Sequence, residues 1–209
     1  MLLGIFCRKS GFEGIFGFID STVRPIPKPS HLQGAVYNGK YRVHALKYQA
    51  LVTPDGMFRQ LCGPWPGSRH DMHMLSKSNL KTYISSLPRR HDGSCYSVYA
   101  DQGYAESVGI VTPYFDGAVN AWHEICNQSL ASSRIAVEWA FGDIIVYWAS
   151  LEMKRQQQLL SNRKIAQVYL VAGFLCNCMN CFERNKASRY FDVTPPALEE
   201  YIASLQRAA

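Results

Sequence analysis

The sequence predicts a mixed α/β fold organised around a single sheet, in one domain. Apolar, strand-like segments occupy the first part of the chain, two long apolar helical patterns occupy the last part, and one late strand-like segment, SVYADQGY, falls between them. With 209 residues, 47% of them hydrophobic, the chain is long and apolar enough to bury a real core.

Residues 15 to 20 read as the first strand. Ile15 and Phe16 lead into GFIDST, so an apolar run delivers Asp20 at its tip. A carboxylate there needs a partner, water or a metal, because leaving it buried and alone costs several kcal/mol. The segment YRVHALKYQALVTPDGMFRQLCG reads as two strands joined by a tight turn at Thr53-Pro54-Asp55-Gly56. Tyr41, Val43, Ala45 and Lys47 alternate with Arg42, His44, Leu46 and Tyr48, which suits a half-wet sheet. RHDMHMLSKSNLKTYISSL places Met72, Leu75 and Leu80 near helical spacing, and the following Pro88, Arg89, Arg90 and Gly93 mark a loop. SVYADQGY then ends a strand in a second carboxylate, Asp101, with Gly103 breaking it.

A helix is predicted from about Ser129 to Leu151, with Asn127 or Ser129 as its cap and Ile135, Val137, Phe141, Ile144, Ile145 and Trp148 as a broad apolar face that contains Glu138. A further helix from about Arg163 to Phe182 is apolar on most sides and is expected to be buried. VTPPALEEYI predicts a turn and a short terminal helix. The division expected is a short N-terminal segment over 1–11, one domain over 12–184, and a C-terminal tail with a short helix over 185–209.

The formal net charge of +6 permits a polyanionic partner without demanding one. Seven cysteines, Cys7, Cys62, Cys95, Cys126, Cys176, Cys178 and Cys181, lie in apolar surroundings with no secretory pattern ahead of them, which fits a reducing compartment. Neither MLLGIFCRKS nor VYLVAGFLC is long enough to span a bilayer, so an intracellular protein that is not secreted is expected.

Asp20 and Asp101 each end an apolar strand, and Glu138 lies on a helix that must pack on the sheet. Brought together, three carboxylates repel one another and raise their pKa values unless cations intervene. Mg²⁺ suits such a site because it prefers oxygen ligands and is held by few carboxylates. Two such ions, about 3.5–4 Å apart, activate an attacking oxygen and stabilise a leaving one in phosphodiester displacement. For any one Asp taken singly, a turn or an ion pair is the commoner role.

GFIDST, YNGKYRVHALKYQALVTPDGMF, GPWPGSRHDMHML, YADQGY and RIAVEWAFGDI occur in the order and approximate spacing of the catalytic domain of PIF/Harbinger-type transposases, a group of the DDE superfamily. The chain resembles that domain over about residues 12 to 202. The resemblance implies an RNase H-like fold flanked by helices, whose acidic triad binds two Mg²⁺ or Mn²⁺ ions and cuts or joins DNA. Carried over by position, the catalytic and metal-binding residues are Asp20, Asp101 and Glu138. Asp20 would bridge both ions, and Asp101 and Glu138 would each complete one site. The family continues its first Asp with Gly-Thr, whereas this chain has Ser21-Thr22. Met1 stands 19 positions before Asp20, which leaves no room for the helix-turn-helix segment that such transposases carry upstream, so a truncated or domesticated chain is expected. The resemblance further implies nuclear localisation, a Myb-like accessory protein as partner, and allows a homo-oligomer.

Other residues divide between functional and ordinary roles. His70 and Asp71 either support the metal ligands or open a helix, Asp being a favoured cap. Lys40, Arg42, Lys47, Arg69 and Arg134 fall in the resembling blocks and are candidate contacts to DNA phosphates, with solvated surface charge as the alternative. His44, His73 and His123 lack partners at zinc-site spacing. Cys176, Cys178 and Cys181 lie in an apolar helix, where thiols pack as core, and Trp139, Phe141, Tyr147 and Trp148 read as core aromatics. Two functions are therefore expected as rivals: a metal-dependent DNA endonuclease of transposase origin, or an inactive remnant that binds DNA or protein.

Overall fold

The computed structural model describes residues 14–115, 120–152 and 165–208. Cys7, Arg163 and the 1–11 segment lie outside them. The chain forms a six-stranded mixed sheet with helices on both faces.

Strand β1 (Ile15–Pro25) is the hub of the sheet. It pairs antiparallel with β3 (Val43–Val52) and parallel with β5 (Ser97–Tyr99), which in turn pairs parallel with β6 (Ile110–Val111). Strand β4 (Phe58–Pro66) returns antiparallel on β3 after the predicted turn, where the Gly56 N–H donates to the Thr53 carbonyl at 2.8 Å. The short helix α1 (Gln33–Val36) and strand β2 (Tyr37–Asn38), which the sequence did not suggest, complete the far edge against the start of β3.

β1 is longer than expected, and this moves Asp20 from a strand tip to mid-strand, opposite Ala50. Ser21, Thr22 and Val23 continue the ladder in a half-buried state until Pro25, whose nitrogen cannot donate. Side chains along β1 alternate between faces. Phe18 belongs to one core, with Tyr48, Val137, Phe141, Ile144 and Tyr169; Ile19 belongs to the other, with Leu75, Leu80, Ile84, Val98 and Tyr104.

The face carrying Ile19 is covered by α2 (Asp71–Lys77) and α3 (Leu80–Ser86), where one helical stretch was anticipated. Of its expected apolar stripe, Leu75 and Leu80 are buried and Met72 is exposed. The opposite face is covered by α4 (Ala121–Tyr147) and α5 (Ile165–Phe182). α4 begins eight residues before the predicted start at Ser129, capped by the Asn120 side chain, which accepts from the His123 N–H at 2.9 Å. Exposed Trp122 and Ile125 obscure the apolar period over its first turns. Its inward face is Leu130, Ser133, Ala136, Val137, Ala140, Phe141 and Ile144, so Ile135 and Glu138, expected on the apolar face, point outward.

α5 is a second correction. It buries Tyr169, Ala172 and Cys176 but leaves Val168, Val171, Phe174, Leu175, Met179 and Phe182 substantially exposed. Apolar residues on every side made the covered face unreadable from sequence. Two buried polar residues, Asn177 and Asn180, interrupt the apolar helix: the Asn177 Oδ1 accepts from the Phe58 N–H and its Nδ2 donates to the Phe58 carbonyl, both at 2.8 Å, and to the Tyr201 hydroxyl at 2.9 Å. One side chain thus ties β4 to α5 and to the terminal helix.

The 185–209 segment contains two helices among its described residues. It carries α6 (Lys186–Phe191) and α7 (Leu198–Ala208), and Phe191 stacks on Phe18 with ring centroids 5.9 Å apart. Asn185 caps α6 and donates to the Asp55 carbonyl at 2.8 Å, clamping the β3–β4 turn.

Candidate active site

One cleft of about 970 Å³ opens where β1 passes between α4 and α2, and its walls include Asp20, Asp101 and Glu138 together. Asp20 comes from the middle of β1, Asp101 from just past the end of β5, and Glu138 from the outward side of α4. Residues 118 positions apart in the chain therefore share one cavity.

Asp20 projects toward α4, where an Arg134 guanidinium nitrogen donates to its Oδ2. The other terminal nitrogen of Arg134 lies 3.6 Å from Glu138 Oε1, one helical turn on. A positive charge thus stands between two of the three carboxylates. The Ser21 amide donates to Asp20 Oδ1 at 2.7 Å. Burial nevertheless dominates and lifts the Asp20 pKa to about 6, with Arg134 and the Ser21 amide pulling it down and the charges of Asp101 and Glu138 adding to the rise. Asp101 is held by the Gly103 N–H, which donates to its Oδ1 at 2.8 Å.

Ser21 faces the other way, toward α2. Its hydroxyl donates to Asp71 Oδ1 at 2.7 Å, and Lys47 Nζ donates to the same oxygen at 2.7 Å. Ser21, the residue that departs from Gly-Thr, therefore bonds Asp20 through its amide and Asp71 through its side chain. His70 precedes α2 in an extended conformation and caps it without a side-chain bond; Asp71 is the first residue of the helix and is engaged across the cleft. A side chain at Gly103 would begin 2.9 Å from Asp71 Oδ2 and 3.0 Å from Asp101 Oδ1, so Asp71 and Asp101 converge on one narrow gap.

The five basic residues separate into two groups. Lys40, Arg42 and Arg69 are exposed, and Lys40 and Arg69 line the cleft. Lys47, expected to meet phosphate, is only 7% exposed and spends its donors on Asp71 and the Arg69 carbonyl. Arg134 is turned to the carboxylates. Its spacing of four residues from Glu138 was visible in the sequence and marks a shared helix face. Elsewhere, His44, His73 and His123 each pack against an aromatic ring, Tyr37, Trp65 and Tyr114 respectively. Cys176 is buried, with Cys178 and Cys181 half-buried.

Residues 19–177 match the family described as DDE superfamily endonuclease. The chain belongs to that family. The match begins one residue before Asp20, ends at Asn177, and contains every residue of the acidic cleft. Comparison with curated proteins and with solved structures gave no significant match. DDE superfamily endonucleases are transposase-type nucleases that generally use divalent metals.

The cleft of this DDE endonuclease can be tested for fit to such ions from its own atoms. Among the described residues no three His, Cys, Asp or Glu side chains are drawn to metal-holding distance as they stand. The donor set is nonetheless all oxygen, as hard cations require, and the Arg134 guanidinium already bridges Asp20 and Glu138 as a cation would.

Proposed function

We propose that this protein is a divalent-metal-dependent DNA endonuclease of PIF/Harbinger transposase origin, with Asp20, Asp101 and Glu138 as its acidic triad. The observation that carries the proposal is their meeting in one cleft with Arg134 between Asp20 and Glu138. An RNase H-like reading of the fold is supported by the sheet, in which β1 is flanked by antiparallel β3 and parallel β5, with α4 across its face.

Mg²⁺ or Mn²⁺, bound as a pair by Asp20, Asp101 and Glu138, would supply Lewis acidity at the scissile phosphate. The protein's own residues do the rest. Asp20, with its pKa near 6, is deprotonated at neutral pH and accepts the bond that fixes its orientation from Ser21. Arg134, which stands between Asp20 and Glu138, would be placed to meet a phosphate oxygen of the bound DNA backbone. Lys40 and Arg69 on the cleft wall are the sequence-independent contacts to the DNA backbone. Nuclear localisation and a Myb-like partner belong to the same reading and rest on the resemblance.

The test is nicking of supercoiled plasmid in Mg²⁺ or Mn²⁺ by the full chain beside Asp20→Ala and Glu138→Gln. Loss of nicking in both variants, with melting curves intact, is the expected result. Equal nicking by all three proteins points to contamination and overturns the proposal.

A further inference from the structure

Tyr104 has no assigned role, yet its position is unusual. The ring packs in the core under α2 and α3 with Ile19, Leu75 and Val98, and the residue is 3% exposed. Its hydroxyl has no hydrogen-bond partner in good geometry among the described residues. It ends among carboxylates: the charges of Asp71, Asp20 and Asp101, in that order, bear on it, and its neighbouring hydroxyl, Ser21, has its proton committed to Asp71. A buried polar group with no partner is costly, and this hydroxyl has a hydrogen-bonding position that a ligand's water could fill.

Asp71 is poised in the same manner. Both of its donors, Lys47 and Ser21, sit on Oδ1, while Oδ2 faces the gap that Gly103 leaves open toward Asp101. Only a residue without a side chain at 103 keeps that gap, which has a carboxylate on either side and lies one residue before Tyr104 in the chain.

We propose that Tyr104 and Asp71 are positioning residues of the acidic centre: the Tyr104 hydroxyl and Asp71 Oδ2 hold a water molecule beside Asp101 and thereby orient the hydration of a divalent cation. Mg²⁺ and Mn²⁺ enter protein sites with several waters retained, and partners of that outer layer commonly change affinity by about 10- to 100-fold when removed. Lys47 and Ser21 serve the arrangement by fixing the rotation of Asp71. The inference rests on the proposed metal-dependent function and extends it to residues outside the triad.

The experiment measures Mn²⁺ binding by the electron paramagnetic resonance signal of the free ion. It uses the full chain at neutral pH, with melting curves recorded without metal, for wild type, Tyr104→Phe, Asp71→Asn and Asp101→Asn. Tyr104→Phe removes one oxygen that makes no well-formed hydrogen bond among the described residues, its neighbour Ser21 bonding Asp71 instead, so it should melt at or above the wild-type temperature while binding Mn²⁺ about tenfold more weakly. Asp71→Asn should weaken Mn²⁺ binding likewise. Tyr104→Phe with wild-type affinity, or with a melting temperature lowered by several degrees, overturns the inference; so does unchanged affinity in a folded Asp71→Asn chain. If Asp101→Asn alone loses the ion, the proposed function survives this failure. If wild type binds no Mn²⁺, or Asp101→Asn binds it equally, both fall.

Discussion

The guanidinium of Arg134 bonds the carboxylate of Asp20 from across the sheet–helix boundary, joining α4 to the centre of β1. Both side chains are mostly shielded, 22% and 17% exposed, so this pair is more than a surface contact. Arg134→Gln removes the charge that holds the Asp20 pKa down, so at pH 7.5 Asp20 either stays charged without its cation or takes up a proton at a cost, and the expected loss is about 2 kcal/mol of unfolding free energy, below the range for fully buried pairs. At pH 4.5 Asp20 is largely protonated in the folded wild type, so the loss should shrink to less than half. Denaturant titrations at the two pH values decide it, and an equal loss at both removes the Arg134–Asp20 charge interaction as the cause.

Asp20 also sets a pH dependence for the metal-free protein. Its folded pKa of about 6 lies above the ordinary 3.8, so between those values the native chain holds a proton that the unfolded chain has released. Stability contributed by this group is fully present below about pH 4 and is lost as pH rises through 6, up to about 3 kcal/mol in all. Burial raises the Asp143 carboxyl too, with the same sign. The measurement is therefore the difference between wild type and Asp20→Asn across pH 4 to 7. A stability difference that stays constant over that window contradicts the raised pKa of Asp20.

The strand-rich first half was legible because β-branched and aromatic residues alternate there and Thr53-Pro54-Asp55-Gly56 punctuates them. Asp20 and Asp101 drew notice as carboxylates that close apolar runs, and their grouping with Glu138 as a triad came from the resemblance, by position. What could not be read was direction. Asp20 and Ser21 are adjacent in sequence yet serve opposite faces, and only the register with β3 separates Arg134 from Asp71 as their partners. Lys47 looks like any basic residue of a half-wet strand until Asp71, 24 positions later, arrives over it. The helices were misjudged where apolar residues are not evidence of burial: Trp122 and Ile125 at the start of α4, and the exposed side of α5, break the rule that period gives face.

Asn177 supplies a prediction about the fold alone. Its amide satisfies both the N–H and the carbonyl of Phe58 as well as the Tyr201 phenol, all inside the core. Asn177→Leu has similar volume but orphans those backbone groups, so a loss of about 2–4 kcal/mol is expected, larger than a surface substitution would give. Urea unfolding followed by circular dichroism measures it. A loss below about 1 kcal/mol would mean that the two backbone groups of Phe58 find other partners.

The division among the basic residues predicts how DNA binding responds to salt. Each cation that neutralises a phosphate contributes about 0.9 to the slope of log K against log salt concentration on duplex DNA. Lys40 and Arg69 are exposed on the cleft wall, so Lys40→Ala and Arg69→Ala should each lower that slope by about one and weaken binding evenly across sequences. Lys47 lines the same cleft, but its ammonium is bound 2.7 Å from Asp71 and is shielded from solvent. Lys47→Met should therefore leave the slope unchanged, even where it lowers stability by freeing the Asp71 carboxylate. Fluorescence anisotropy of labelled duplex without divalent ions, from 50 to 200 mM salt, distinguishes these outcomes. If Lys47→Met reduces the slope as much as Lys40→Ala, the ammonium must leave Asp71 when DNA binds, and the Lys47–Asp71 pair is then a contact that DNA breaks rather than a fixed strut of the site.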